Sequence, residues 1–379
     1  MPDSVIATDR PAAHGEDQIV QFRSDGLNLS PAAYGRLLAE IAETRGIAVD
    51  DYSRAGVVSE LETQMAALLG KDAAVFMPTG TLANHLALRL LARNGKRVLV
   101  QAESHLYNDE GDCYNDEGDC AQQLSGLTLV PLAYGRATIT LAEIERTVSG
   151  APEARVAVPV GAISLETPVR RVAGEAFDTA EMRAISIFAR ERGIGLHLDG
   201  ARLLLEAAYT GIAPAETAAL FDTVYVSLWK YLNAASGAIL AGPRELLDGL
   251  YHQRRMFGGG LPHAWPDAAV ALHYLDGFAE RFAAAVKAAD TVFAALREHP
   301  SVMIERSSAG TNVAILRVAG TQAATLPQRL AGHGIGIRPP RQTSAVGAEF
   351  TLHTNETILR RPAGEIVRGF VAGLDARHP

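Results

Sequence analysis

Short apolar runs alternate with helical stretches through the middle of this 379-residue chain. Ala73 to Met77 reads as a strand, and a helix over Leu82 to Asn94 follows it. Arg97 to Gln101, Leu127 to Pro131 and a run within Arg155 to Leu165 are the next strand candidates. A helix over Thr179 to Arg192 then leads to strands at Gly195 to Leu198, Thr223 to Leu228 and Ala238 to Leu240. Alternation of this kind predicts an α/β fold, a mainly parallel sheet covered by helices on both faces. Ligands in such sheets sit at the carboxyl ends of the strands. Asp199, Lys230 and the turn Thr79-Gly80-Thr81 all fall at such ends.

The flanking segments read differently. Residues 1 to about 18 are polar and resemble a flexible lead-in. Ser30-Pro31 is a helix start, with proline at the first helical position. Val58 to Leu69 has helical apolar spacing and stops at Gly70. From Trp265 the pattern is helical through His299. Val313 to Val318, a glycine-rich turn, Glu349 to His353 and a last helix over Pro362 to Ala376 make a smaller α+β domain. The expected organisation is an N-terminal arm over 1–30, a large domain over 31–275 and a small C-terminal domain over 276–379.

Composition narrows the class. Hydrophobic residues make up 48% and charged residues 21%, as in a soluble globular chain. The net charge of −8 disfavours nucleic acid and anionic membranes as partners. No apolar run approaches a membrane span, and no secretory signal pattern opens the chain. Two cysteines argue against a disulfide framework, so a cytoplasmic location is expected.

Chemistry concentrates in two runs, His197-Leu198-Asp199-Gly200-Ala201-Arg202 and Ser227-Leu228-Trp229-Lys230. An acid at the end of an apolar strand, followed by S-x-x-K, is what a pyridoxal phosphate site needs. The lysine amine makes a Schiff base with the cofactor aldehyde. The carboxylate pairs with the pyridinium nitrogen and keeps it protonated. Lys230 also stands among Leu228, Trp229, Tyr231 and Leu232, where a buried amine needs a partner or a lowered pKa.

Thr79, Gly80 and Thr81 join a strand to a helix, where backbone N–H groups and the helix dipole suit a phosphate. The plain alternative is that Thr79 only caps the helix. Ser227 offers a second hydroxyl for the same phosphate. Arg254 or Arg255, ahead of Gly258-Gly259-Gly260, could bring charge, including from a neighbouring subunit. His105, at another strand end, can stack on a pyridine ring. Asp199 has a plain alternative of its own as a helix cap.

Tyr107-Asn108-Asp109-Glu110-Gly111-Asp112-Cys113 recurs without change as Tyr114 to Cys120. The copy is too short for a solenoid repeat. Its mixture of carboxylates and thiols lacks calcium-loop spacing, so an acidic inserted loop is the reading and no metal is expected.

At these residues the chain resembles the L-threonine aldolase and β-eliminating lyase family of pyridoxal-phosphate enzymes. The matching pieces are Arg23-Ser24-Asp25, Phe76 to Asn84, Ser104-His105, Ser164-Leu165-Glu166, His197 to Arg202, Ser227-x-x-Lys230 and Gly258 to Gly260. The resemblance implies the aspartate-aminotransferase-like fold type I, with a mostly parallel seven-stranded sheet in the large domain. It implies Lys230, His105 and Asp199 as catalytic residues. It implies Thr79, Gly80, Thr81 and Ser227 around the phosphate, and Arg202 with Ser24 near the substrate carboxylate or the cofactor O3′. It implies a homodimer or homotetramer with shared sites.

The departures fall beside the site. The family follows Leu-Glu with Asn-Thr-His; here Glu166 leads to Thr167-Pro168-Val169. The substrate-carboxylate arginine has Arg338, Arg341, Arg360 and Arg361 as candidates, of which Arg341 is chosen. His263 and His353 are candidates for the lost imidazole. Removing one heptapeptide copy restores the family's spacing after His105, so Glu110 or Glu117 is the family's glutamate there.

The expected activity is cleavage of a β-hydroxy-α-amino acid to glycine and an aldehyde. β-Elimination, transamination or racemisation of another amino acid is the alternative, because the same carbanion serves them all. A non-catalytic binding protein is the third reading, disfavoured by the intact Lys230, Asp199 and His105.

Overall fold

The structure is a computed structural model that describes residues 15–93, 95–107, 117–150 and 157–376. Much of the expected lead-in over residues 1 to 18 therefore lies outside the described residues. The chain forms two compact units. One comprises Asn28–Ala279 with Ser307–Thr311, and the other Met1–Leu27, Glu280–Arg306 and Asn312–Pro379.

The strands in chain order begin with β1 (Val20–Gln21). Then come β2 (Ala73–Met77), β3 (Arg97–Gln101), β4 (Thr128–Leu132), β5 (Val160–Glu166), β6 (Gly195–Asp199), β7 (Thr223–Ser227) and β8 (Ala238–Gly242). These last seven make one sheet in the order β2-β8-β7-β6-β5-β3-β4. The pairs from β7 to β4 are parallel, while β8 runs antiparallel to both β2 and β7. Every residue of β7 and β8 is buried, as expected of strands covered on both faces.

The first helices are α1 (Pro31–Arg45), α2 (Gly56–Leu68) and α3 (Gly80–Ala92). The Ser30 hydroxyl caps α1 by accepting from the Ala33 N–H at 3.2 Å. Thr79 caps α3 in the same way, accepting from the Leu82 N–H at 3.2 Å. α3 is buried on opposite sides. Ala83, Leu86 and Ala87 pack with Met77, Tyr225 and Leu240, while Leu88, Leu91 and Ala92 pack with Val98, Val100 and Leu129. Each such leucine contributes about 2 kcal/mol relative to an exposed position. The helix is thereby held across the middle of the sheet with its N-terminus at the strand ends.

The long helical stretch expected from Trp265 to His299 is two helices, Trp265–Leu275 and Phe278–Arg297. The chain breaks between them at Gly277, which takes φ 62°. Asp50 ties the first of these helices to the loop before α2. Its Oδ1 accepts the Ala264 and Trp265 N–H groups at 2.8 Å, and its Oδ2 accepts Ser53 N–H at 2.7 Å.

In the second unit β9 (Val302–Glu305), β10 (Val313–Ala319), β12 (Gln342–Ser344) and β13 (Gly347–His353) form an antiparallel sheet in the order β12-β13-β10-β9. β1 pairs in parallel with β11 (Ile335–Gly336). Phe22 packs on Phe293 and Phe370 at centroid distances of 6.1 and 5.7 Å. The described residues up to Leu27 thus belong to the C-terminal unit and are not an arm of their own. Apolar contacts at β1 and Phe22 draw them in. Among the described residues no helix is long and apolar enough to cross a membrane.

Candidate active site

Parallel register brings the chemistry together. Glu166, the last residue of β5, stands opposite Asp199, the last of β6, and Asp199 stands opposite Tyr225 of β7. All three are buried. His105 follows β3, two strands from Asp199.

Glu166 grips His105 twice. The His105 backbone N–H donates to Oε2 at 2.8 Å, and ring Nδ1 lies 3.0 Å from Oε1. The Arg170 N–H reaches the same carboxylate at 3.2 Å. Burial would push the Glu166 carboxyl up, but the His105 charge and these hydrogen bonds hold it well below the usual carboxylate range. The Glu166 backbone is itself clamped by Gln101, whose amide accepts the Glu166 N–H and donates to the Glu166 carbonyl, both at 2.8 Å.

Asp199 accepts from Asn84 Nδ2 at 2.8 Å and from the Ala201 N–H at 3.1 Å. Burial and then the Glu166 carboxylate raise its pKa, with Lys230, His105 and Asn84 opposing. Asn84 Nδ2 also donates to Glu117 Oε1 at 2.8 Å. Glu117 is the glutamate of the second heptapeptide copy; Glu110 of the first lies outside the described residues. The Glu117 carboxyl is raised well above its ordinary value by burial and by Asp199, with Asn84 and Lys230 pulling the other way.

Lys230 lies in the bend after β7, half-buried, with Nζ 5.7 Å from the Trp229 ring centroid. Its charge acts on both Asp199 and Glu117. Leu228, Tyr231 and Leu232 are buried around it, as expected, but Trp229 is 53% exposed. Arg202 is buried and acts on the Tyr225 hydroxyl, which burial and then Asp199 keep protonated.

At the α3 N-terminus Thr79 makes the cap already described. Thr81 is half-buried. Gly80 has no room for a side chain, because an added Cβ would collide with the Tyr225 hydroxyl. Ser227 ends β7, fully buried, and no hydrogen bond of ordinary geometry satisfies its hydroxyl. The Tyr225 phenol interacts with it. An under-satisfied buried hydroxyl is what a missing acceptor-rich group leaves behind. With an amine at Lys230 and a buried carboxylate at Asp199, the donor set fits pyridoxal phosphate.

Other candidates fall elsewhere. Arg254 is buried and donates to the Phe76 and Tyr52 carbonyls at 2.5 and 3.1 Å, so its charge serves β2 and the loop before α2. Arg255 lies over the Tyr52 ring at 4.5 Å. His263 faces the Asp50 carbonyl at 2.7 Å, and Val169, where the family histidine would stand, is buried. Ser24, Arg341 and His353 belong to the other unit. There Asp25 accepts from Asn312 at 2.9 Å and pairs with His353 at 3.1 Å, next to half-buried Ser24. Arg341 is exposed, whereas Arg360 and Arg361 donate to the Ile19 and His333 carbonyls at 2.8 Å. Among the described residues no group of His, Cys, Asp or Glu could hold a metal ion.

Asn84 and His197 stand inside the matched motifs without a role assigned to either, and Gln101 reads only as a strand end. One signal was available for His197: a strand alternates faces with period two, so His197 shares a face with Asp199.

Comparison with known proteins identifies the family. The family model described as β-eliminating lyase matches residues 38–319. A low-specificity L-threonine aldolase of Candida albicans is 31% identical over 219 residues, 57% of this chain and 56% of that protein. The chain thus spans little over half the length of that relative. A low specificity L-threonine aldolase of Escherichia coli K12 is 26% identical over 84% of this chain and 90% of its own. A solved Listeria monocytogenes protein, provisionally described as an L-allo-threonine aldolase, superposes with a TM-score of 0.78 at 25% identity, covering 95% of this chain and 97% of that one. The chain belongs to the β-eliminating lyase family, whose enzymes have fold type I and depend on pyridoxal phosphate.

Proposed function

We propose that this protein is a cytoplasmic lyase that cleaves a β-hydroxy-α-amino acid to glycine and an aldehyde. What carries the reading is one juxtaposition: Asp199, Glu166 with His105, and Lys230 at neighbouring strand ends in a single unit. The aldolases among its relatives support the choice of substrate class.

Pyridoxal phosphate, when bound, supplies an electron-accepting ring for the electron pair released at the substrate α-carbon. Lys230 would hold the cofactor aldehyde, Asp199 the ring nitrogen, and His105 a face of the ring. Ser227, Gly80 and Thr81 would hold the phosphate. Glu166 keeps the His105 imidazole in one orientation, which a flat stacking surface requires. Within the same unit, Arg202 is proposed for the substrate carboxylate. The proton of the β-hydroxyl needs an acceptor, and Val169 cannot serve. Glu117, a carboxyl beside Asp199 and Lys230, is of the right chemical kind. Following its family, the protein is expected to act as a homodimer or homotetramer, which sedimentation would check.

Val169 at the family's histidine position favours a second reading, in which Lys230 takes the α-proton and a β-substituent leaves. Purified protein saturated with pyridoxal phosphate, given a panel of β-hydroxy amino acids, separates the two. Glycine with the matching aldehyde supports aldol cleavage. Ammonia with a keto acid, and no glycine, moves the protein to the second reading.

A further inference from the structure

Behind Asp199 lies a chain of buried side chains that the proposed chemistry does not use. Thr223 Oγ1 is 2.8 Å from His197 Nδ1, and His197 Nε2 is 2.9 Å from Asn84 Oδ1. The amide nitrogen of Asn84 then reaches Asp199 Oδ2 and Glu117 Oε1, each at 2.8 Å. Thr223 and His197 have no exposed surface, Asn84 is 1% exposed and Asp199 is 3% exposed.

The protons in this chain can be assigned. Two carboxyl groups face one atom of the Asn84 amide, so that atom is the NH2 group, which has a hydrogen for each. Oδ1 must then face His197, and Nε2 of His197 must carry a hydrogen. Burial drives the imidazole down to about 3, so it is neutral and Nδ1 is bare. The Thr223 hydroxyl donates to Nδ1. Reversing the amide would set its carbonyl oxygen against the Asp199 carboxylate, a repulsion that no tautomer of His197 relieves. Every link therefore has one sense.

We propose that His197 and Asn84 are positioning residues that aim the Asp199 carboxylate at the cofactor ring nitrogen. The relay rests on the pyridoxal phosphate reading of the site. Among the described residues the hydrogen-bond donors to Asp199 are neutral: the Asn84 amide and the Ala201 N–H. Neutral donors orient a carboxylate without cancelling its charge, whereas a direct arginine or lysine contact would neutralise it. The side chain of β6 that lies two residues before Asp199 thereby controls the direction of Asp199 through a residue of α3.

Two measurements test the relay. In the protein without cofactor, 15N NMR should find His197 as the neutral Nε2–H tautomer throughout pH 5 to 8. A titration within that range, or the Nδ1–H tautomer, overturns the assignment. His197→Phe and Asn84→Ala should weaken pyridoxal phosphate binding about tenfold or more, as expected for losing a hydrogen bond on a charged group. They should also move the pH midpoint of the bound cofactor's visible band. His197→Gln, whose amide can donate to Asn84, should restore most of both. Wild-type affinity and an unmoved midpoint in His197→Phe overturn the proposal. Should that variant fail to fold, the wild-type tautomer decides. If the wild type itself takes up no pyridoxal phosphate, the cofactor reading fails, and the NMR result still judges the relay.

Discussion

Glu166 holds His105 by both its backbone N–H, at 2.8 Å, and its ring nitrogen Nδ1, at 3.0 Å. One buried carboxylate therefore sets the position of a loop and the rotation of the imidazole it carries. The Gln101 amide fixes the carboxylate's own backbone, so the arrangement is rigid from β3 across to β5.

Glu166→Gln should loosen that grip. A neutral amide has one acceptor oxygen in place of two, and it loses the charge-assisted component of both bonds. Cofactor affinity, read by absorbance titration, is expected to fall about ten- to a hundredfold. An unchanged affinity would show that His105 needs no anchoring by Glu166.

Lys230→Ala should remove the visible band that bound pyridoxal phosphate gives the wild type, while the fold survives, because the side chain is only half-buried. Absorbance spectra with circular dichroism check both halves of this expectation. A persisting wild-type band would mean that another amine holds the cofactor.

Glu206 makes stability depend on pH. It is buried, and its carboxyl is pushed up to about 7 by burial, against the opposing bond from the Thr167 hydroxyl at 2.7 Å. The folded state thus binds a proton more tightly than the unfolded chain, whose glutamate titrates near 4.3. Stability falls as pH rises from about 4.5 through 7, by on the order of 3 kcal/mol. Glu206→Gln should remove that decline and melt higher than wild type at pH 8 but not at pH 4.5. Parallel pH profiles for the two proteins would refute the assignment.

Asp50 is a fold residue rather than a site residue. Its three N–H partners lie in the loop before α2 and at the start of the helix Trp265–Leu275. Asp50→Ala leaves them unsatisfied and should cost about 2–4 kcal/mol. Chemical denaturation measures this, and a loss below about 0.5 kcal/mol would mean that water replaces the carboxylate.

The strands were legible where local pattern decides. Ala73–Met77 and Arg97–Gln101 have the ends that their apolar runs suggest, and the helix Thr179–Arg192 has the ends its flanking residues suggest. The pattern failed at Asp276-Gly277, where an extended residue and then a positive-φ glycine split a continuous helical periodicity. It also failed at Trp229, whose apolar character did not predict exposure.

By itself the sequence determined the α/β alternation, the strand ends that carry Asp199 and Ser227, and the family motifs around Lys230. These are local properties: period, capping and the order of residues along the chain. Only the tertiary structure decided that Glu166 would hold His105, that Asn84 would join Asp199 to Glu117, and that Arg254 would spend its charge on backbone carbonyls. Those pairings depend on strand register and on where α3 crosses the sheet. Both are set by the packing of segments far apart in the chain, and no local pattern encodes them.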